Sequence, residues 1–143
     1  MAGPWLYVIS ARSGATFHLQ RESIPVSVNS YRDLVASGRL RESRYWGGKR
    51  GISHHQQDVE KEDEMFIYTG DRHLGIIGYA KIKGVEERSN GWCVLPEFDL
   101  DKCRALLEHP VPAAVVRKWK SSLRPNLIDL APFVEQLRPL LPW

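Results

Sequence analysis

A chain of 143 residues with 43% apolar and 26% charged side chains can bury a real core, and this balance excludes a disordered chain. No apolar run approaches the roughly 20 residues of a membrane helix, and MAGPWLYVISARSG lacks both a basic n-region and a long apolar h-region; the expectation is one cytosolic domain without a signal peptide. The net charge of +3 is modest but uneven, with six cations (Arg32, Arg39, Arg41, Arg44, Lys49, Arg50) against two acids (Asp33, Glu42) between 32 and 50, then the acidic run DVEKEDE at 58–64. A local basic zone suits a phosphate-bearing ligand better than a polyanion spread over the whole surface; a solvated charged face is the alternative.

WLYVIS (5–10) is aromatic and β-branched, as a first strand should be, and ARSG turns the chain after it. IPVSVN (24–29) reads as extended, with Pro25 favouring an edge. In NSYRDLVASG the pattern predicts a helix: Ser30 as cap, Asp33 completing a capping box, Leu34 and Val35 as contacts, Gly38 as terminator. RYWGGKRG (44–51) follows, then ISHHQQDVEKEDEM, polar enough for at most a short helical turn.

MFIYTG (65–70) and LGIIGYAKIKGVEE (74–87) predict a β-hairpin turning at TGDRH, where Gly75 and Gly78 signal a bulge or a close backbone approach. GWCVLPEF (91–98) predicts another strand. A helix capped by Asp99 would then bury Leu100, Cys103, Leu106 and Leu107. HPVPAAVVRKWK is punctuated by prolines before a short helix or strand, and IDLAPFVEQLRPLL spaces Leu130, Phe133, Val134, Leu137 and Leu141 as an amphipathic helix capped by Asp129. The class these elements imply is α+β, a curved mixed sheet or partial barrel of about five or six strands flanked by short helices. Residues 1–143 read as a single domain, and LLPW directly after a helix is where a domain cut from a longer chain would stop.

Catalytic signatures are missing. His18, His54, His55, His73 and His109 stand in no H-E-x-x-H pattern and beside no cysteine partner, and Cys93 and Cys103 have the spacing of plain thiols. There is no G-x-S-x-G elbow and no P-loop. The expectation is therefore a binding module with no catalytic residues, no metal and no cofactor. Among the five tryptophans, Trp119 and Trp143 lie in or beside helical segments, whereas Trp46 and Trp92 lie in glycine-rich, polar contexts suited to stacking on a flat ligand. The alternative is that each indole caps the core.

Taken in order, these elements resemble the EVE family of the PUA-like superfamily, relatives of the YTH domains. WGGKR matches the family's W-x-G-x-R element through Trp46, Gly48 and Arg50, and MFIYTGDRHLGIIGYAKI matches its central hairpin through Tyr68, Gly75, Ile76, Gly78 and Ala80. The opening strand and the terminal SLRPNLIDLAPFVEQL also correspond, so the resemblance spans essentially the whole chain. Departures are VISARSG where the family runs into Lys-Ser-Glu-Pro, and Gly51 and Ile52 where it has Asn and an aromatic residue.

The resemblance implies a PUA-like fold and a modified-base module of a restriction system, binding DNA and holding a flipped 5-methylcytosine or 5-hydroxymethylcytosine. A nuclease or motor domain could be fused to it. The alternative is an RNA-binding module or an N6-methyladenine reader of YTH type, and a small-molecule or protein-interaction domain is a third class. The pocket implied pairs Trp46 with Trp92, with Gly47, Gly48 and Ser10 offering polar contacts and Tyr31 and Tyr68 as secondary members. Lys49 and Arg50, helped by Arg44 and Arg12, would hold phosphate; Arg50 could instead pair with an acid to pin its loop. Flipping costs a few kcal/mol, which stacking at roughly 1–3 kcal/mol per base and phosphate contacts must offset.

Overall fold

The computed structural model describes residues 3–47, 52, 57–89, 91–124 and 127–143. Its strands are β1 (Trp5–Ile9), β2 (Thr16–His18), β3 (Ser23–Pro25), β4 (Glu64–Thr69), β5 (Gly75–Arg88), β6 (Gly91–Phe98) and β7 (Leu127–Asp129), and its helices are α1 (Val28–Ser37), α2 (Leu100–Glu108), α3 (Ala113–Trp119) and α4 (Val134–Leu137). The order β6-β5-β4-β1-β7 makes a five-stranded mixed sheet in which β1 and β4 run parallel and every other pair is antiparallel. The β2–β3 ribbon forms a second, two-stranded sheet. The architecture is thus α+β with an open mixed sheet and short helices. Among the described residues no helix is long and apolar enough to cross a membrane.

WLYVI and EMFIYT are almost continuously apolar because both faces of the central pair are covered. Successive side chains point to opposite faces. Trp5, Tyr7, Ile9, Met65 and Ile67 enter one core with α1, the ribbon and the start of α2. Leu6, Val8, Phe66 and Tyr68 enter a second core with α3 and the C-terminal segment. Both cysteines are buried, and burial pushes their thiols up from the ordinary value.

Two boundaries differ from expectation. Helix α1 begins earlier, because Ser27 and not Ser30 is its cap: the Ser27 hydroxyl accepts from Ser30 N–H and the Ser30 hydroxyl accepts from Ser27 N–H, a capping box closed by serine instead of Asp33. Asp129 ends β7, where its carboxylate accepts from Gly3 and Ala131 N–H, instead of capping a long helix. Pro132 and Pro139 then divide the terminal segment into 3₁₀ turns on either side of the one-turn α4.

The glycines of the hairpin mark close approach. Ile77 bulges out of the β4–β5 register opposite Ile67/Tyr68. A Cβ on Gly78 would lie 2.2 Å from the Tyr31 hydroxyl, and one on Gly75 would lie 1.9 Å from the Val111 carbonyl oxygen, where the backbone also has φ +106°. Gly75→Ala therefore has no relaxed solution. Denaturant titration should show it destabilised by about 3 kcal/mol or more, while Gly84→Ala, whose Cβ would meet only Leu95 at 3.9 Å, changes stability far less.

The C-terminal segment is tied down by charge. Arg138 pairs with Glu64 on β4, and the Tyr79 hydroxyl donates to the same carboxylate at 2.8 Å. Burial alone would raise the Glu64 pKa, but the hydrogen bonds from Arg138 and Tyr79 outweigh it and hold the carboxyl below its ordinary 4.5. A carboxyl lowered in the folded state stabilises fully above the unfolded value, and that contribution is lost as pH falls through the folded one. Melting temperature should accordingly fall on acidification below about 4.5, and Glu64→Gln should flatten that part of the pH profile.

Candidate nucleic-acid interface

Trp46 is a core residue in this structure. It is 4% exposed, with its ring 5.1 Å from Tyr7, 5.4 Å from Phe17 and 5.1 Å from Phe98. Its indole N–H donates to the buried Ser43 hydroxyl at 2.6 Å. Its rings and its donor are thus all engaged by the protein, which leaves no free face for a base. Its backbone forms a two-bond bridge to Val94 on β6, each bond 2.9 Å, and Ile52 N–H donates to the Trp92 carbonyl at 2.8 Å. The residues that flank the GGKRG segment, Trp46 and Ile52, are therefore both tied to β6, at Val94 and at Trp92. Gly47 is buried; Gly48, Lys49 and Arg50 lie outside the described residues, as do His54 and His55. Trp92 is half-buried against the first core.

With Trp46 inward, its neighbour Tyr45 lies nearer the surface and forms the middle of an aromatic–cation column. The Arg88 guanidinium carbon is 3.8 Å from the Tyr45 ring centroid, and the His18 ring stacks on Tyr45 at 4.7 Å with 12° between planes. The guanidinium and the imidazole thus both lie against the Tyr45 ring. Elements remote in sequence position the three groups: β2 supplies His18, the end of β5 supplies Arg88, and Arg44 N–H donates to the His18 carbonyl to set the segment that carries Tyr45. The His18 nitrogens lie within hydrogen-bond reach of the Thr16 and Ser23 hydroxyls, which fixes the ring. Arg88 is register-paired with Gly91 and Glu87 with Trp92, so alternation along the strands sends Trp92 toward the core face and Arg88 to the opposite one. Arg44 and Arg21 are exposed nearby in sequence and make no ion pair among the described residues.

The remaining expected residues divide between two places. Tyr31 is fully buried and its hydroxyl donates to the Ile77 carbonyl at 2.8 Å, so it serves the core; burial first, then Cys103, pushes its phenol well up. Ser10, Arg12 and Tyr68 do come together, in a separate cleft at the carboxyl ends of β1 and β4. Sequence reasoning passed over Tyr45, His18 and Arg88. Tyr45 stood inside the quoted RYWGGKRG, and an aromatic next to a buried aromatic in extended chain points the other way. Nothing local could have linked it to His18 and Arg88.

Trp46→Ala should cost about 3–5 kcal/mol of stability by calorimetry or denaturant titration, and Trp46→Phe less. Any loss of binding in Trp46→Ala therefore has to be read against its folded fraction, whereas Tyr45→Ala should leave the fold standing. No family model, no curated protein and no solved structure matches this chain, so the functional reading rests on these geometries.

Proposed function

We propose that this chain is a nucleic-acid-binding module of PUA-like, EVE type that reads a modified base in DNA, with RNA as the alternative target. The observation that carries the reading is the Arg88–Tyr45–His18 column, next to the Trp46–Val94 bridge by which the chain joins β6. A guanidinium or imidazole plane already stacked on an aromatic ring is a pre-ordered platform for the face of an extruded base. The cations Arg44 and Arg21, with Lys49 and Arg50 in the adjoining sequence, supply the positive charge that holds flanking phosphates. Of Trp46 and Trp92, only Trp92 keeps exposed surface, while Trp46 anchors the chain that carries Tyr45.

A methyl group alone adds only about 1 kcal/mol by burial. Discrimination between modified and unmodified base would rest on which polar groups the wrong base leaves unpaired. The specificity step is therefore assigned to polar groups that meet the base edge beside the column, and affinity to the column and the cations.

The test is a fluorescence titration of single- and double-stranded DNA and RNA oligonucleotides, with and without 5-methylcytosine, 5-hydroxymethylcytosine or N6-methyladenine. Tyr45→Ala should weaken binding roughly tenfold or more. Arg44→Gln should weaken all sequences alike and reduce the salt slope by about one. Equal affinity for modified and unmodified strands would sink the base-reading step, and no binding to any strand would sink the nucleic-acid reading as a whole.

A further inference from the structure

We infer that the cleft at the carboxyl ends of β1 and β4 is a binding site for a phosphoryl group, grasped by Arg12, Arg72 and Arg117 above the buried Tyr68 hydroxyl. The cleft has a volume of about 680 Å³, within the range of small-ligand sites. It opens where the one parallel strand pair of the main sheet ends and the two chains diverge, β1 into the turn at Ala11–Ser13 and β4 into the turn at Asp71–His73.

Three separate elements deliver its guanidiniums: the turn after β1 gives Arg12, the β4–β5 turn gives Arg72, and α3 gives Arg117. Among the described residues none of the three makes an ion pair, while Arg39, Arg88, Arg104 and Arg138 all do. Among the described residues the only carboxylate lining the cleft is Asp71, and its Oδ2 accepts from Ala11 N–H at 2.9 Å, pinning the two turns together. Three guanidiniums against one carboxylate leave an excess of two positive charges, with His73 at the rim in addition. Like charges gathered without counterions raise one another's energy, and an anion relieves it.

The floor carries the second, independent observation. The Tyr68 hydroxyl is buried and has no hydrogen-bond partner among the described residues. Native proteins keep few such groups. It lines the cleft with Gly70, and a Cβ on Gly70 would lie 3.6 Å from that hydroxyl and 3.1 Å from Arg117 Nη2. Hydroxyl and guanidinium thus converge over a residue that brings no side chain of its own. At the rim, Arg72 and His73 both have positive φ, 55° and 56°, a conformation that ordinary side chains disfavour and that tends to persist at binding sites.

The ligand class follows from the donors. Arginine forks donate and cannot accept, and the phenol O–H is free to donate beside them. They arrive from different directions, which matches the tetrahedrally disposed oxygens of a phosphoryl group better than the two coplanar oxygens of a carboxylate. Ser10 is uncharged, and its hydroxyl accepts from Arg12 N–H and orders the turn. The cleft adjoins the Gly75 end of β5, whereas the base-reading column sits at the Arg88 end of that 14-residue strand, so this inference does not rest on that reading.

The experiment measures binding of inorganic phosphate, of a 5′-phosphorylated oligonucleotide and of its 5′-hydroxyl counterpart by calorimetry, to the wild type, Arg117→Gln, Tyr68→Phe and Tyr45→Ala. Saturable phosphate binding is expected in the wild type and Tyr45→Ala, weakened about tenfold in Arg117→Gln and several-fold in Tyr68→Phe. The Tyr68→Phe apoprotein should melt no lower than wild type, since it loses only an unpartnered hydroxyl. Tighter binding of the 5′-phosphorylated strand identifies a terminal phosphate as the source. Equal binding of both strands, weakened in both by Arg117→Gln, identifies an internal phosphodiester. Affinities for all three probes that are unchanged by Arg117→Gln and Tyr68→Phe, or no binding of any probe, would overturn the inference.

Discussion

Burial of both faces of the parallel β1–β4 pair is the constraint on which the rest of the molecule depends. Once β1 and β4 lie side by side with register Trp5–Met65 to Ile9–Thr69, the pleat sends alternate residues into two cores. One face is closed by α1 and the ribbon, the other by α3 and the C-terminal segment. Backbone and side chains then have to approach closely wherever those covers meet the sheet, which is why bare glycine stands under Tyr31 at position 78 and under the Val111 carbonyl at position 75. With both faces spent on packing, polar chemistry is left to the strand ends and to the far reach of the β5–β6 hairpin.

Trp46 illustrates how that constraint redistributes roles. An indole flanked by glycines and cations has the composition of a ligand wall, yet the ring serves as the hub where β1, β2 and β6 meet through Tyr7, Phe17 and Phe98. Its one polar atom is satisfied by Ser43, so it can be buried at no hydrogen-bond deficit. The consequence for the surface is indirect. A tryptophan locked inward, with its backbone bridged to Val94, fixes where Tyr45 stands, and Tyr45 is what His18 and Arg88 stack upon.

What was legible in the sequence was local. Strand β6 matches its predicted span residue for residue, the β4–β5 hairpin and its bulge follow from alternation and two glycines, and Asp99 caps α2 as its carboxylate accepts from Lys102 N–H. The start of α1 was missed because two serines three apart can each serve as cap, and only tertiary placement of Val28 in the core selects Ser27. The long terminal helix was expected but does not form: its apolar spacing is genuine, yet pairing of Leu127–Asp129 with β1 claims the residues that would have begun it, and only the one-turn α4 remains. The sites were the least legible part. The column joins residues at 18, 45 and 88, and the cleft joins residues at 12, 68, 72 and 117; such sets exist only after the sheet has ordered its strands.

The net charge understates the electrostatics for the same reason. Many of the acids are already committed to cations on the same surface: Glu22 and Glu42 to Arg39, Glu62 and Glu97 to Lys83, Asp101 to Arg104, Glu64 to Arg138. Such exposed pairs contribute little stability each, but they cancel field locally. The cations left over decide where an anion goes, and in the cleft they cluster over the one buried hydroxyl that lacks a partner among the described residues. Screening over about 8–10 Å at physiological salt means that such a cluster acts on what touches it rather than on the whole molecule. A nearly neutral chain can thus hold a strongly anion-selective point. That selectivity comes from the topology of β1 and β4, not from the composition.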